Sequence, residues 1–271
     1  MTLSRPELDR LAASPPARVV RVRVAKVLGS APREEGAEMF VTEADAFGTI
    51  GGGQLEYMAI DEARALLARN EAAGSMDVPL GPAIGQCCGG RVGLALTRLG
   101  PAALADALAA ARAALDRAPP VLVFGAGHVG RALVRALLPL PVNPVLIDSR
   151  PAELARAGTV PVRLTPLPEA EVRAAPPGSA YVIVTHDHAL DFLIADEALA
   201  RGDAAYVGMI GSASKAATYA RRARTVPGWA GDLSALACPM APGAKHDKRP
   251  EVIAAFIAAE VMARLAVRVS A

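Results

Sequence analysis

Residues Val121-Leu122-Val123-Phe124 form a short apolar run, and Gly125-Ala126-Gly127-His128-Val129-Gly130 follows it directly. No other feature restricts the fold of this chain as much. The run suits a strand buried on both faces of a parallel sheet. The first glycine permits a tight turn, the second lets the backbone approach a pyrophosphate, and the third lets the next helix pack closely on the strand. Arg131 to Leu138 reads as that helix, and its N-terminal N–H groups favour an anion. A second strand, Val145 to Ile147, ends at Asp148, eighteen residues past Gly130. An acid at this place takes ribose hydroxyls, which points to NAD. The nearby Arg150 leaves room for NADP, and the plainer alternative is that Asp148 caps the next turn.

The pattern goes on to the end of the chain. Val160–Leu164, Tyr181–Val184 and Ala205–Val207 read as further strands, with helices over Leu190–Ala200 and Lys215–Arg224. Ligands of an open parallel sheet collect at the carboxyl ends of its strands. That rule selects Thr185-His186-Asp187-His188 and Gly208-Met209-Ile210-Gly211-Ser212. The His186-Asp187-His188 segment suits proton transfer, phosphate binding or metal ligation. Three polar residues in succession do not close a metal site by themselves. The alternative is that Asp187 or His188 caps the following helix.

The N-terminal part has a different texture. Ala102 to Arg117 is almost entirely Ala, Leu and Arg and reads as a helix, which Pro119-Pro120 ends. We place a boundary there, giving domains 1–118 and 119–271. Arg18–Leu28 alternates as a half-buried strand. Met39–Thr42 and Phe47–Ile50 read as a hairpin, Gln54–Arg69 as a helix and Arg91–Arg98 as a strand. The expected fold class is therefore α/β: a C-terminal Rossmann-like, doubly wound parallel sheet plus a smaller N-terminal α/β or α+β domain.

Bulk properties narrow the function classes. The chain of 271 residues is 52% hydrophobic and 21% charged, as suits a folded globular protein. Twenty-nine basic and 27 acidic side chains leave a net charge of +2 with no long basic run, which argues against nucleic acid or an anionic membrane as partner. Met1 to Ser14 carries acids and bases throughout, and no stretch approaches the ~20 apolar residues of a membrane span. Three cysteines, two of them adjacent, make no disulfide framework, so the expected compartment is the cytoplasm.

Three loops in the first domain carry chemistry. Gly29-Ser30-Ala31-Pro32-Arg33 offers a stiff turn with a guanidinium suited to an oxyanion. In Gly48-Thr49-Ile50-Gly51-Gly52-Gly53-Gln54-Leu55-Glu56, Gly51, Gly52 and Gly53 precede a helix, where several N–H groups can converge on a phosphate. A tight turn under a packed helix is the alternative. Gly85-Gln86-Cys87-Cys88-Gly89-Gly90 sets two thiols between glycines. Cysteine is usually a small buried hydrophobe, a role this setting does not suit. Thiolates are soft ligands and nucleophiles, so Cys87 and Cys88 point to a soft metal centre or to sulfur transfer. Zinc is disfavoured because adjacent residues chelate one tetrahedral ion poorly.

Taken together, and with Cys238-Pro239-Met240 through Lys248-Arg249-Pro250-Glu251, these motifs resemble the XdhC/CoxI family, accessory proteins of xanthine dehydrogenase and related molybdenum hydroxylases. The resemblance covers nearly the whole chain. It implies a chaperone, not a catalyst: a protein that binds the molybdenum cofactor (molybdopterin), supports its sulfuration by a cysteine desulfurase and delivers it to the molybdenum subunit of apo-xanthine dehydrogenase. Molybdenum cofactor biosynthesis proteins are implied partners, and a homodimer is the expected assembly. On this reading Cys87 or Cys88 ligates or shields molybdenum. The Gly51–Gly53 loop, or the cleft formed by Gly125, Gly127, His128, Gly130, Asp148, His186, Asp187, His188, Gly211 and Ser212, takes the phosphate, and Arg33 is a further cofactor-binding residue. Gln54 stands where the family more often has His, which favours a backbone role for that loop. Two rival readings are an NAD(P)-dependent oxidoreductase using His186 or His188, and a non-catalytic nucleotide-sensing module.

Overall fold

The structure is a computed structural model that describes residues 3–82, 85, 89–244 and 246–269, the last three by backbone only. Two compact units divide the chain, Met1–Asp116 and Arg117–Ala271.

The first unit is built on an antiparallel sheet of strands β1 (Val19–Leu28), β2 (Glu38–Val41), β3 (Ala46–Gly48), β4 (Ala73–Pro79) and β5 (Arg91–Leu99). Their order is β3-β2-β1-β5-β4, so the α+β alternative is the one realised. Alternation in β1 sends Val20, Val22 and Val24 to one face, where they meet Leu55, Ala59 and Leu66 of helix α2 (Gly53–Arg69). A register shift between Val24 and Lys26 breaks the alternation there. A second core joins Leu8 and Leu11 of α1 (Arg5–Ala13), Leu104 and Leu115 of α3 (Pro101–Asp116), and Phe40 and Phe47. The sequence reading gave no strand at β4. Its Gly, Asp and Pro are poor strand formers, and only its pairing with β5 along the sheet edge makes it one.

The second unit is the expected doubly wound sheet. Its strands are β6 (Pro120–Phe124), β7 (Asn143–Asp148), β8 (Val162–Leu164), β9 (Ala180–Ile183), β10 (Tyr206–Met209) and β11 (Leu236–Ala237). They run parallel in the order β11-β10-β9-β6-β7-β8. Successive residues of β6 feed opposite cores. Val121 and Val123 pack with α4 (His128–Leu137), the short α5 (Pro151–Leu154) and α9 (Pro250–Val269), whereas Leu122 and Phe124 pack with α6 (Pro168–Ala174), α7 (His188–Ala200) and α8 (Ala213–Ala223). The strand order reverses between β6 and β9, so the crevice at their carboxyl ends is the switch point where such sheets bind ligands. Helix α4 begins at His128, three residues before the sequence expectation, because Gly127 serves as its N-cap. No helix of the described residues is long and apolar enough to cross a membrane.

Candidate functional site

In the first unit the three loops singled out by sequence come together at one end of the sheet. A Cβ on Gly90 would lie 2.1 Å from the carbonyl oxygen of Ser30 and 2.8 Å from that of Leu28, so only glycine lets these two backbones touch. A Cβ on Gly51 would lie 2.4 Å from Pro32 Cγ and 3.6 Å from Arg33 Cγ. The Gly29–Arg33 loop is thus wedged between the other two. Hydrogen bonds from Leu80 N to Gly90 O and from Gly89 N to Leu80 O, both 2.8 Å, pin the base of the cysteine loop. Cys87 and Cys88 themselves lie outside the described residues. Among the described residues, no heavy atom comes within 4 Å of where a Cβ would stand at Gly52, Gly85 or Gly89.

The Gly51–Gly53 loop has the shape of an anion nest, with φ of 130°, 78° and 64° at its three glycines. Its N–H groups are already engaged. Ile50, Gly51 and Gly52 donate to Glu56 Oε1 at 2.9, 3.2 and 2.8 Å, and the Thr49 hydroxyl donates to the same oxygen. The anion in this nest is the chain's own carboxylate. Sequence reasoning quoted Glu56 without giving it a role. Its place four residues after the N-cap glycine is the available signal, since first-turn acids reach back to cap N–H groups.

In the second unit Gly125 sits at the switch point with φ 113°, and a Cβ there would lie 2.5 Å from Val184 O. Gly130 is tighter still, with a virtual Cβ 1.9 Å from Gly125 O. Gly127 has nothing within 4 Å and marks the open side of the turn. His128 is exposed at the start of α4.

Asp148 is nearly buried and fully engaged. Its Oδ2 accepts from Ala126 N at 2.6 Å and Arg150 Nη2 at 2.8 Å, and its Oδ1 accepts from Arg150 N and Nε, both at 2.9 Å. Those four bonds use the acceptor positions of a carboxylate. A ribose diol would have to displace Arg150 to reach it. Burial pushes the Asp148 carboxyl up, but the Arg150 guanidinium, helped by the Ala126 and Arg150 N–H groups, outweighs that and holds it below its ordinary value. The crevice beside it, lined by Gly125, Ile147, Thr185 and His186, is shallow, with a volume of about 10 Å³.

After β9 the histidines are exposed to solvent. His186, Asp187 and His188 are exposed, and Asp187 caps α7 by accepting from Ala189 N at 2.8 Å. Ser212 caps α8 in the same way. What binds the two loops together was not foreseen. Lys215 Nζ pairs with Asp191 Oδ2 and donates to Ile210 O at 2.9 Å, while Asp191 Oδ1 accepts from Thr185 N at 3.2 Å and Oγ1 at 2.6 Å. Gly211 makes room for this, since a Cβ there would lie 2.6 Å from Lys215 Cδ. Cys238 follows β11, which pairs with β10 up to Gly208–Ala237, so its thiol falls near the Lys215–Asp191 pair. Among the described residues no group of three or more His, Cys, Asp or Glu side chains is placed to hold a metal.

Comparison with known proteins settles the family. A signature described as "XdhC Rossmann domain" matches residues 121–261, more than half of the chain. The chain belongs to the XdhC and CoxI family. The signature of that name also matches residues 13–77, in the first unit. Among solved structures, one described as the crystal structure of a xanthine dehydrogenase from Bacillus halodurans superposes with a TM-score of 0.74 at 18% identity, covering 98% of this chain and 97% of that one. At that identity the likeness shows that both units of this XdhC and CoxI family member share its fold. No curated protein matches the chain.

Proposed function

We propose that this chain carries the molybdenum cofactor during maturation of a xanthine dehydrogenase or a related molybdenum hydroxylase. Family membership across both units supports the general role. The observation that supports the finer reading is the packing of the Gly29–Arg33 loop against Gly51 on one side and against Gly90, at the base of the cysteine loop, on the other. The described part of this cluster carries one guanidinium, Arg33, and the sequence places two thiols, Cys87 and Cys88, in the third loop. A cofactor with a phosphate and a soft metal needs those two donor types.

In this reading Arg33 takes the phosphate of molybdopterin, and Cys87 or Cys88 ligates or shields molybdenum. A cysteine desulfurase supplies the sulfur, and the apo-dehydrogenase receives the finished cofactor. The carrier holds its cargo and does no bond chemistry of its own. The oxidoreductase alternative is less well supported, because the Asp148 carboxylate is already engaged by Arg150. The Rossmann unit then serves as a nucleotide-like docking module or as scaffold.

The test replaces Cys87 and Cys88 together by Ala and measures molybdopterin retained on the purified full chain. The expected result is loss of most of the bound cofactor with folding unchanged. Equal retention by the variant and the parent removes the thiolate role.

A further inference from the structure

Glu56 is the one anion among the described residues that sits in a ring of backbone N–H groups beside the candidate cofactor site. Four donors meet its Oε1: Ile50 N, Gly51 N, Gly52 N and the Thr49 hydroxyl. Thr49 Oγ1 also accepts from Gly51 N at 3.1 Å. Three consecutive glycines with positive φ are costly to order, because glycine has the most backbone freedom to lose. Something must therefore hold them, and the carboxylate from the first turn of α2 does so. Once held, Gly51 lies flush against Pro32 and the stem of Arg33.

We propose that Glu56 is a positioning residue: by holding the Thr49–Gly53 loop it fixes the wall against which Pro32 and Arg33 are set, and so shapes the anion-recognising side of the cofactor site without touching the cofactor. The proposal rests on the carrier reading only for what the site binds. It also assigns the Gly51–Gly53 nest to the chain's own carboxylate in place of a ligand phosphate. The geometry favours this assignment because Glu56 lies only four to seven residues from its donors. An outside phosphate has to compete with a partner of high local concentration.

The experiment compares the full chain with Glu56→Ala and Glu56→Gln. The amide oxygen of Gln accepts the same N–H groups, so it restores the loop in part, whereas Ala cannot. Three readouts are taken: hydrogen exchange of the Ile50–Gly52 amides, peptide-resolved modification of Arg33 by phenylglyoxal, and binding of molybdopterin and of inorganic phosphate. Glu56→Ala is expected to speed amide exchange and change the Arg33 modification rate by about tenfold, the equivalent of losing one charge-assisted contact, and to weaken molybdopterin by a similar factor. Glu56→Gln is expected to fall between. Tighter binding of phosphate or molybdopterin by Glu56→Ala overturns the proposal, since it makes the nest a ligand site that Glu56 blocks. Unchanged exchange and unchanged Arg33 modification overturn it as well. If the parent chain binds no molybdopterin, the carrier reading fails, and the exchange and modification results still decide the role of Glu56.

Discussion

Lys215 and Asp191 form an ion pair in which the two side chains are 8% and 0% exposed. It joins the loop after β9 to the loop after β10, because Asp191 also binds Thr185 and Lys215 also binds Ile210 O. Removing one member of a buried pair leaves an unpaired charge, at a cost of about 3–5 kcal/mol. Lys215→Met is therefore expected to lower unfolding free energy by that amount in urea titrations. The double variant Lys215→Met with Asp191→Asn is expected to recover part of the loss, since no lone charge remains. A single variant as stable as the parent contradicts this account.

The glycine turn offers a contrast between neighbours. At Gly130 an added Cβ meets the Gly125 carbonyl at 1.9 Å, a backbone atom that cannot step aside cheaply. At Gly127 the space is empty and φ is −67°, which alanine accepts. Gly130→Ala is expected to destabilise by at least about 2 kcal/mol, as overpacking does. Gly127→Ala is expected to leave thermal unfolding nearly unchanged. A ligand that approaches the turn closely is then lost in Gly127→Ala without loss of stability, which calorimetry and a binding assay on the same sample separate.

Asp148 predicts how the second unit responds to acid. Its carboxyl titrates below the ordinary value of about 3.9, because Arg150 and two N–H groups outweigh burial. The stability it contributes is fully present above the unfolded value and is lost as pH falls through the folded one. Asp148→Asn is expected to cost about 1.5–3 kcal/mol at neutral pH, the worth of hydrogen bonds to a charged group. The gap between variant and parent is expected to hold down to about pH 4 and to close below it. Urea unfolding at a series of pH values measures this directly, and a gap that widens on acidification contradicts it.

Much of the second unit was legible in the chain because its signals are local. Gly125, Gly127 and Gly130 follow a buried strand at fixed spacing, and Asp148 stands at the end of the next one. Strand ends differ from expectation by one or two residues, as at β10, where pairing with β9 carries the strand on to Met209. The sequence was less informative about who occupies each polar group. Asp148 looks like a ribose acceptor until Arg150 is seen folded over it, and Gly51–Gly53 looks like a phosphate nest until Glu56 is seen inside it. In both cases a side chain a few residues away satisfies the motif, and spacing alone does not tell an inner partner from an outer one. Lys215 and Asp191 are 24 residues apart, and only the folded sheet brings their loops together. The convergence of the three loops in the first unit is likewise a product of strand order, since β1 and β5 are neighbours in the sheet but far apart in the chain.

Cys238 gives the last prediction. Burial pushes its thiol above the ordinary cysteine value and Asp191 adds to this, while Lys215 pulls the other way without reversing it. The thiolate is the reactive form, so the group is largely protonated and slow at neutral pH. In a chain carrying Cys87→Ser and Cys88→Ser, Cys238 is expected to alkylate with iodoacetamide more slowly at pH 7.5 than a free thiol. The rate is expected to climb with pH beyond the range where an ordinary cysteine levels off. In urea, where burial is gone, it is expected to match the free thiol. Mass spectrometry of the intact chain follows the reaction, and rapid labelling of the folded protein at pH 7.5 shows that Lys215 dominates the site and burial does not.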